Sequence, residues 1–232
     1  MNLIAAIILA LVFYGAAADI MKKHSRVFYI CFYALVLLMA VIYTGSYDKA
    51  LPAGLKFVTD LFQRGVMASA TFVIVMYLGL VRNHTAFTRR YMRIRGEMSI
   101  IGCLMALTHN ILFGRHYFVA FFDREAIMPT QVRLAAIVSM CLIALMIPLF
   151  VTSFTAVRRK MKGKSWKRLQ RLAYPFYILL YVHVMLLFSM NPEKNRLSIV
   201  IYTLVYVTYI VLRLKKALLA YLQRREACAQ AA

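Results

Sequence analysis

The chain has 232 residues, 63% of them hydrophobic and only 16% charged, yet it carries a formal net charge of +21. A water-soluble domain has about 25% charged residues, and a nucleic-acid binder does not combine a basic excess with this much Leu, Ile, Val, Phe and Tyr. The composition therefore excludes soluble, disordered and disulfide-rich secreted classes, and points to an all-α polytopic membrane bundle whose charges sit in its loops.

Seven apolar stretches follow in chain order, at about 3–21, 27–44, 65–81, 97–121, 133–157, 172–190 and 197–212. Each is long enough to cross a hydrocarbon core of ~30 Å at 1.5 Å per residue, the last only just. Seven spans are expected, a six-helix core being the smaller alternative. The first stretch ends in Ala16-Ala17-Ala18, like a signal-peptidase site. However, its start has no Lys or Arg, while Lys22 and Lys23 follow it. That charge order predicts a helix with its N-terminus outside.

The links sort by charge. Segments 22–26, 82–95 and 158–171 and the tail from 213 hold 21 Lys and Arg; the alternate links hold 8. The acids Asp48, Asp60, Asp123, Glu125 and Glu193 fall on the cation-poor side, with Asp19, Glu97 and Glu226 on the other. By the positive-inside rule the C-terminus is cytoplasmic. The eight cations between Arg158 and Arg171 are an orientation signal that also meets anionic lipid headgroups. Asn83-His84-Thr85 matches a glycosylation triplet, but on the side where none is added.

The cysteines Cys31, Cys103, Cys141 and Cys228 form no CxxC pair, which argues against zinc, iron–sulfur or covalently attached haem. Pro175 suits the first turn of the sixth span, while Pro148 is expected to kink the fifth. Chemistry must come from polar groups within the membrane. His109 lies 14 residues beyond Arg95, and His183 lies 12 beyond Arg171. Both helices run outward, so the imidazoles stand about 21 and 18 Å from those arginines, at one level.

Two neutral imidazoles from separate helices at matched depth are what a bis-histidine haem b requires. The expected apolar walls are Leu104, Leu107, Ile111 and Leu112 on one helix and Leu179, Leu180, Leu186 and Leu187 on the other. The alternatives are hydrogen bonding of each ring within the bundle, or a proton relay. His116, one heptad above His109, is expected with Arg115 at the outer rim, facing haem propionates. Met190, one heptad above His183, is a conceivable further ligand. A permease with the histidines as substrate or proton site, or a non-catalytic scaffold, are the competing functions.

Two stretches resemble the ferric-reductase-like transmembrane superfamily, and within it the haem-binding subunits of the MsrQ/YedZ type. The first is Arg93-Ile94-Arg95-Gly96-Glu97, leading through Ala106 to His109. The second runs from Thr152-Ser153 through Arg158-Arg159 and Trp166-Lys167-Arg168-Leu169-Gln170-Arg171-Leu172-Ala173-Tyr174 to His183. The resemblance covers about residues 60–190. It divides the chain into two N-terminal helices (1–57), a haem-binding bundle (58–212) and a basic cytoplasmic tail (213–232).

The resemblance implies a haem b-binding oxidoreductase subunit of a bacterial inner membrane. Electrons would pass from a cytoplasmic flavin reductase or quinol, with FMN or a quinone as donor cofactor, to an outer-side redox partner. Gln170 stands where the family has a further histidine, so one haem, between His109 and His183, is implied. No GxGxxG or soluble nucleotide-binding region is present, so the electrons must come from elsewhere.

Overall fold

The computed structural model describes residues 3–44, 52, 56, 64–81, 85–123 and 127–230. Asn83, His84, Asp48, Asp60, Glu125 and the boundary at 57/58 lie outside them. Among the described residues every regular element is helical: α1 (Leu3–Lys23), α2 (Ser25–Thr44), α3 (Val66–Leu78), α4 (Ala86–Arg93), α5 (Arg95–His109), a π-helical turn (Asn110–Gly114), α6 (Arg115–Phe122), α7 (Thr130–Ser153), α8 (Thr155–Lys160), α9 (Gly163–Gln170), α10 (Ala173–Phe188) and α11 (Pro192–Gln230). Six helices or helix runs have the length and apolarity of membrane spans; α3, at 13 residues, is shorter. The chain is an integral membrane helical bundle.

The short helix is the central post. Apolar on every side, α3 is buried along nearly its whole length, as a helix inside a bundle must be. At about 20 Å it is too short for the hydrocarbon core, so its last carbonyls would end within the bundle. Two cations meet them. Arg95 Nε donates to the Val75 carbonyl at 3.0 Å, and Lys216 Nζ reaches the Gly79 and Leu80 carbonyls at 2.9 and 3.2 Å. Positive charge at a helix C-terminus also complements its dipole.

The first helix belongs to the same core. Ala6, Ala10 and Ala18 recur on one buried face of α1, and such small residues let membrane helices approach closely. Tyr14, on that face, lies 3.2 Å from the Thr71 hydroxyl of α3. Ala16 to Ala18 continue the helix to Lys23 without a break. The α2 face carrying Val36 packs on Ile100 and Leu104 of α5.

Ion pairs gather at the cation-rich end. Glu97 is buried and accepts from Lys22 at 2.9 Å, while Asp19 accepts from Arg90 and Arg93. Thr85 caps α4 by accepting from the Thr88 N–H. Helix α7 runs unbroken through Pro148 and ends at Ser153, because Phe154 turns to extended backbone. Four residues short of the expected end, the chain enters α8, and α9 then carries much of the basic loop.

The final helix departs most from its expected length. In place of a span at 197–212 and a separate tail, α11 runs 39 residues, about 58 Å. Pro192 suits its first position, and the residues after 212 are mostly Leu, Ala, Lys and Arg, with no later Gly or Pro to stop it. Its inner face is a column of tyrosines: Tyr202, Tyr206 and Tyr209 are buried, and Tyr206 stacks on Tyr177 of α10 with centroids 4.2 Å apart.

Candidate functional site

His109 and His183 line the same cavity. It has a volume of about 430 Å³ and opens between α3, α5, α7, α10 and the start of α11. That lies within the range of ligand pockets, roughly 300–1,000 Å³. Its lining is mostly apolar, from Phe72, Leu142, Met146, Phe176, Leu180 and Leu187, and also includes Arg64, Asn195 and Ser198. A second recess of about 90 Å³ continues past both histidines toward Phe118 and Met190.

Each histidine has a distinct support. His183 Nδ1 is 3.2 Å from the Ala135 carbonyl oxygen and 3.2 Å from Ser139 Oγ, both on α7. A carbonyl can only accept, so Nδ1 carries the proton, and Nε2 is the nitrogen left for a ligand. This is the outer-shell arrangement that fixes the tautomer and orientation of metal-binding imidazoles. His109 instead packs against Gly65, at the start of α3. Gly65 has φ 68°, and a Cβ there would stand 3.0 Å from His109 Cγ. Glycine meets both demands, a left-handed backbone and room for the ring. Phe113 lies nearly parallel to the imidazole, 5.9 Å away.

The π-helical turn begins at the residue after His109. Asn110 Nδ2 donates to the Ala106 carbonyl at 3.0 Å. A π turn takes in an extra residue, so it breaks the heptad phase between His109 and position 116, and such turns recur at functional sites. This corrects the expected rim. His116 and Arg115 are exposed and line neither cavity; Tyr117 and Phe118 line the smaller one, and the exposed Arg64 lines the larger.

The expected walls are also corrected. Leu180 and Leu187 do line the cavity, but Leu104 and Ile111 belong to the packing against α2, and Leu107 is exposed. The missing walls come from α3 and α7, whose contribution no reading of the two histidine helices alone contained. Met190 lines the small recess with both histidines, without His116 beside it.

Gln170 is committed elsewhere. Its Nε2 donates to Thr152 Oγ1 at 3.0 Å, and Thr152 donates to the Pro148 carbonyl. Trp166 Nε1 donates to the Thr152 carbonyl at 3.1 Å, with Arg158 over its indole ring. The Thr152, Trp166 and Gln170 positions therefore fasten α9 to the end of α7. Among the described residues no group of three or more His, Cys, Asp or Glu could hold a bare metal ion. Two imidazoles suit a metal already held by a macrocycle.

No family model matches the chain, and no solved structure matches it. It is similar to an uncharacterized protein of Treponema pallidum (strain Nichols), 36% identical over 215 residues. The match takes in 90% of this chain and 58% of that protein, so the chain spans less than two thirds of its relative's length.

Proposed function

We propose that this chain is a haem b-binding membrane subunit of the ferric-reductase-like type. It takes electrons from a cytoplasmic flavin or quinol donor and delivers them to an acceptor on the outer side, in a bacterial inner membrane with the C-terminus cytoplasmic. The observation that carries this reading is that His109 and His183, on different helices, share one largely apolar cavity, with His183 already held by its Nδ1.

His109 and His183 would hold the haem iron. When bound, the haem supplies reversible one-electron chemistry. The Ala135 carbonyl and Ser139 keep the His183 proton on Nδ1, and Gly65 gives the His109 ring its space. Phe72, Leu142, Met146 and Phe176 keep water from the metal, which helps set its potential. Arg64 and Ser198, in the cavity lining, would offer the macrocycle's carboxylates a cation and a hydroxyl donor. One haem per chain follows, since Gln170 serves the α7–α9 junction.

A reduced-minus-oxidised spectrum of the purified protein tests the reading. The expected result is a low-spin b-type spectrum, lost in both His109→Ala and His183→Ala, with a pyridine haemochrome value near one per chain. Folded, colourless protein from haem-replete cells would overturn it. Two haems per chain would overturn the role given to Gln170.

A further inference from the structure

Helix α11 has two faces with different fates. One is committed to its own bundle: Tyr202, Tyr206 and Tyr209 are buried, Arg213 stacks over the Tyr174 ring at 4.8 Å, and Lys216 reaches the end of α3. On the opposite face, Leu197, Val200, Leu204, Val207 and Val211 are exposed, and Leu214, Leu218 and Tyr221 continue them. The spacing is three, four, three, four, without interruption, over eight positions. This is the a/d repeat of a supercoiled helix seam.

Lipid suffices to cover the first five. It does not cover the last three, because the apolar span ends at Leu212 and three cations, Arg213, Lys215 and Lys216, mark the membrane edge. Tyr221 lies about 12 Å beyond Arg213 along the axis. Leu214, Leu218 and Tyr221 are 58–64% exposed there, on a helix that continues unbroken from the span and is anchored to the bundle by Arg213 and Lys216. We infer that this seam pairs in parallel with α11 of a second copy of the chain, from within the membrane to its cytoplasmic side.

Charge permits this partner. No charged residue occupies the seam between Leu197 and Tyr221. Two copies in one membrane share an orientation, so the flanking positions that meet are Thr203 with Thr208, Ile210 with Lys215, and Ala217 with Leu222. None is a like-charge pair. Arg225 takes the next seam position, where it would face its own counterpart, so the apolar run and the close pairing end at Tyr221 and the chains splay toward Cys228. The inference is independent of what the cavity holds.

The next position in the repeat, seven residues after Tyr221, is Cys228, which is exposed and free. It supplies the test. Copper–phenanthroline oxidation of membranes carrying the full chain should give a dimer band on a non-reducing gel. Cys228→Ser should abolish the band, and Leu218→Cys in that background should restore it. Gln223→Cys in the same background, on the face away from the seam, should stay monomeric. Adding Leu214→Lys to the Leu218→Cys, Cys228→Ser chain should lower crosslinking at least tenfold while leaving its helical circular dichroism intact. Monomer from both Cys228 and Leu218→Cys would mean that lipid or another protein covers the seam, and would overturn the inference. Equal crosslinking from Gln223→Cys would indicate random collision and overturn it equally.

Discussion

Ser139 and Gly65 are the residues on which the site's geometry depends most directly. Ser139 is one of two groups at His183 Nδ1, and the Ala135 carbonyl remains when it is removed. On the proposed function, Ser139→Ala should therefore weaken haem retention by about tenfold, the low end for loss of an outer-shell partner, and shift the midpoint potential. Haem titration and redox potentiometry check this. Gly65→Ala combines a strained backbone with a clash at the His109 ring. It should cost roughly 1–3 kcal/mol and broaden or split the low-spin spectrum, where Gly163→Ala, whose added Cβ would meet nothing within 4 Å, should be silent. The histidines were legible in the sequence because an imidazole is conspicuous in an apolar run. Their supports were not: a serine, an alanine carbonyl and a glycine carry no such contrast.

At the scale of elements, most boundaries follow from composition, and the misreadings have physical causes. The heptad argument for His116 assumed a regular helix, and the π turn at Asn110–Gly114 removes that assumption. Its only trace in the sequence is an Asn one residue after the histidine and a Gly five residues after it. The end of α11 was misplaced because apolarity measures membrane contact, while the helix continues wherever helix-forming residues do. The capping of α3 gives a prediction at this scale. Lys216→Ala leaves two partly buried carbonyls without their cation and should destabilise the bundle by about 1.5–3 kcal/mol. Lys215→Ala, one position round the helix, should be close to neutral. Thermal unfolding in detergent distinguishes them.

For the whole molecule, the charge asymmetry of the sequence is matched by contacts that join the cation-rich ends of its helices. Lys22 meets Glu97, Arg95 meets Val75, Lys216 meets Gly79, and Trp166 meets Thr152. Seven apolar stretches were readable because cations cannot be stored in lipid, but only six helices among the described residues have the length and apolarity of a membrane span. What the sequence hid was that one crossing is a half-length post and that α1 packs against it. Orientation can be checked with a membrane-impermeant maleimide on Gln223→Cys in the Cys228→Ser background. Labelling should require lysis of the cells; labelling of intact cells would reverse the assigned topology.

The shortness of α3 has an electrical consequence. The helix begins beside His109 and ends at the cations about 20 Å away, and the cavity opens along its first turns. On the proposed topology the histidines stand about 20 Å from the cytoplasmic cations, so the larger share of the insulating layer lies on that side. On the proposed function, loading the site from the cytoplasm carries an electron through most of the membrane field, at up to about 2.3 kcal/mol per 100 mV. Release to the outer side crosses little of it. The loading step should be strongly electrogenic, and its equilibrium should move with an imposed diffusion potential in vesicles, while the release step should hardly respond.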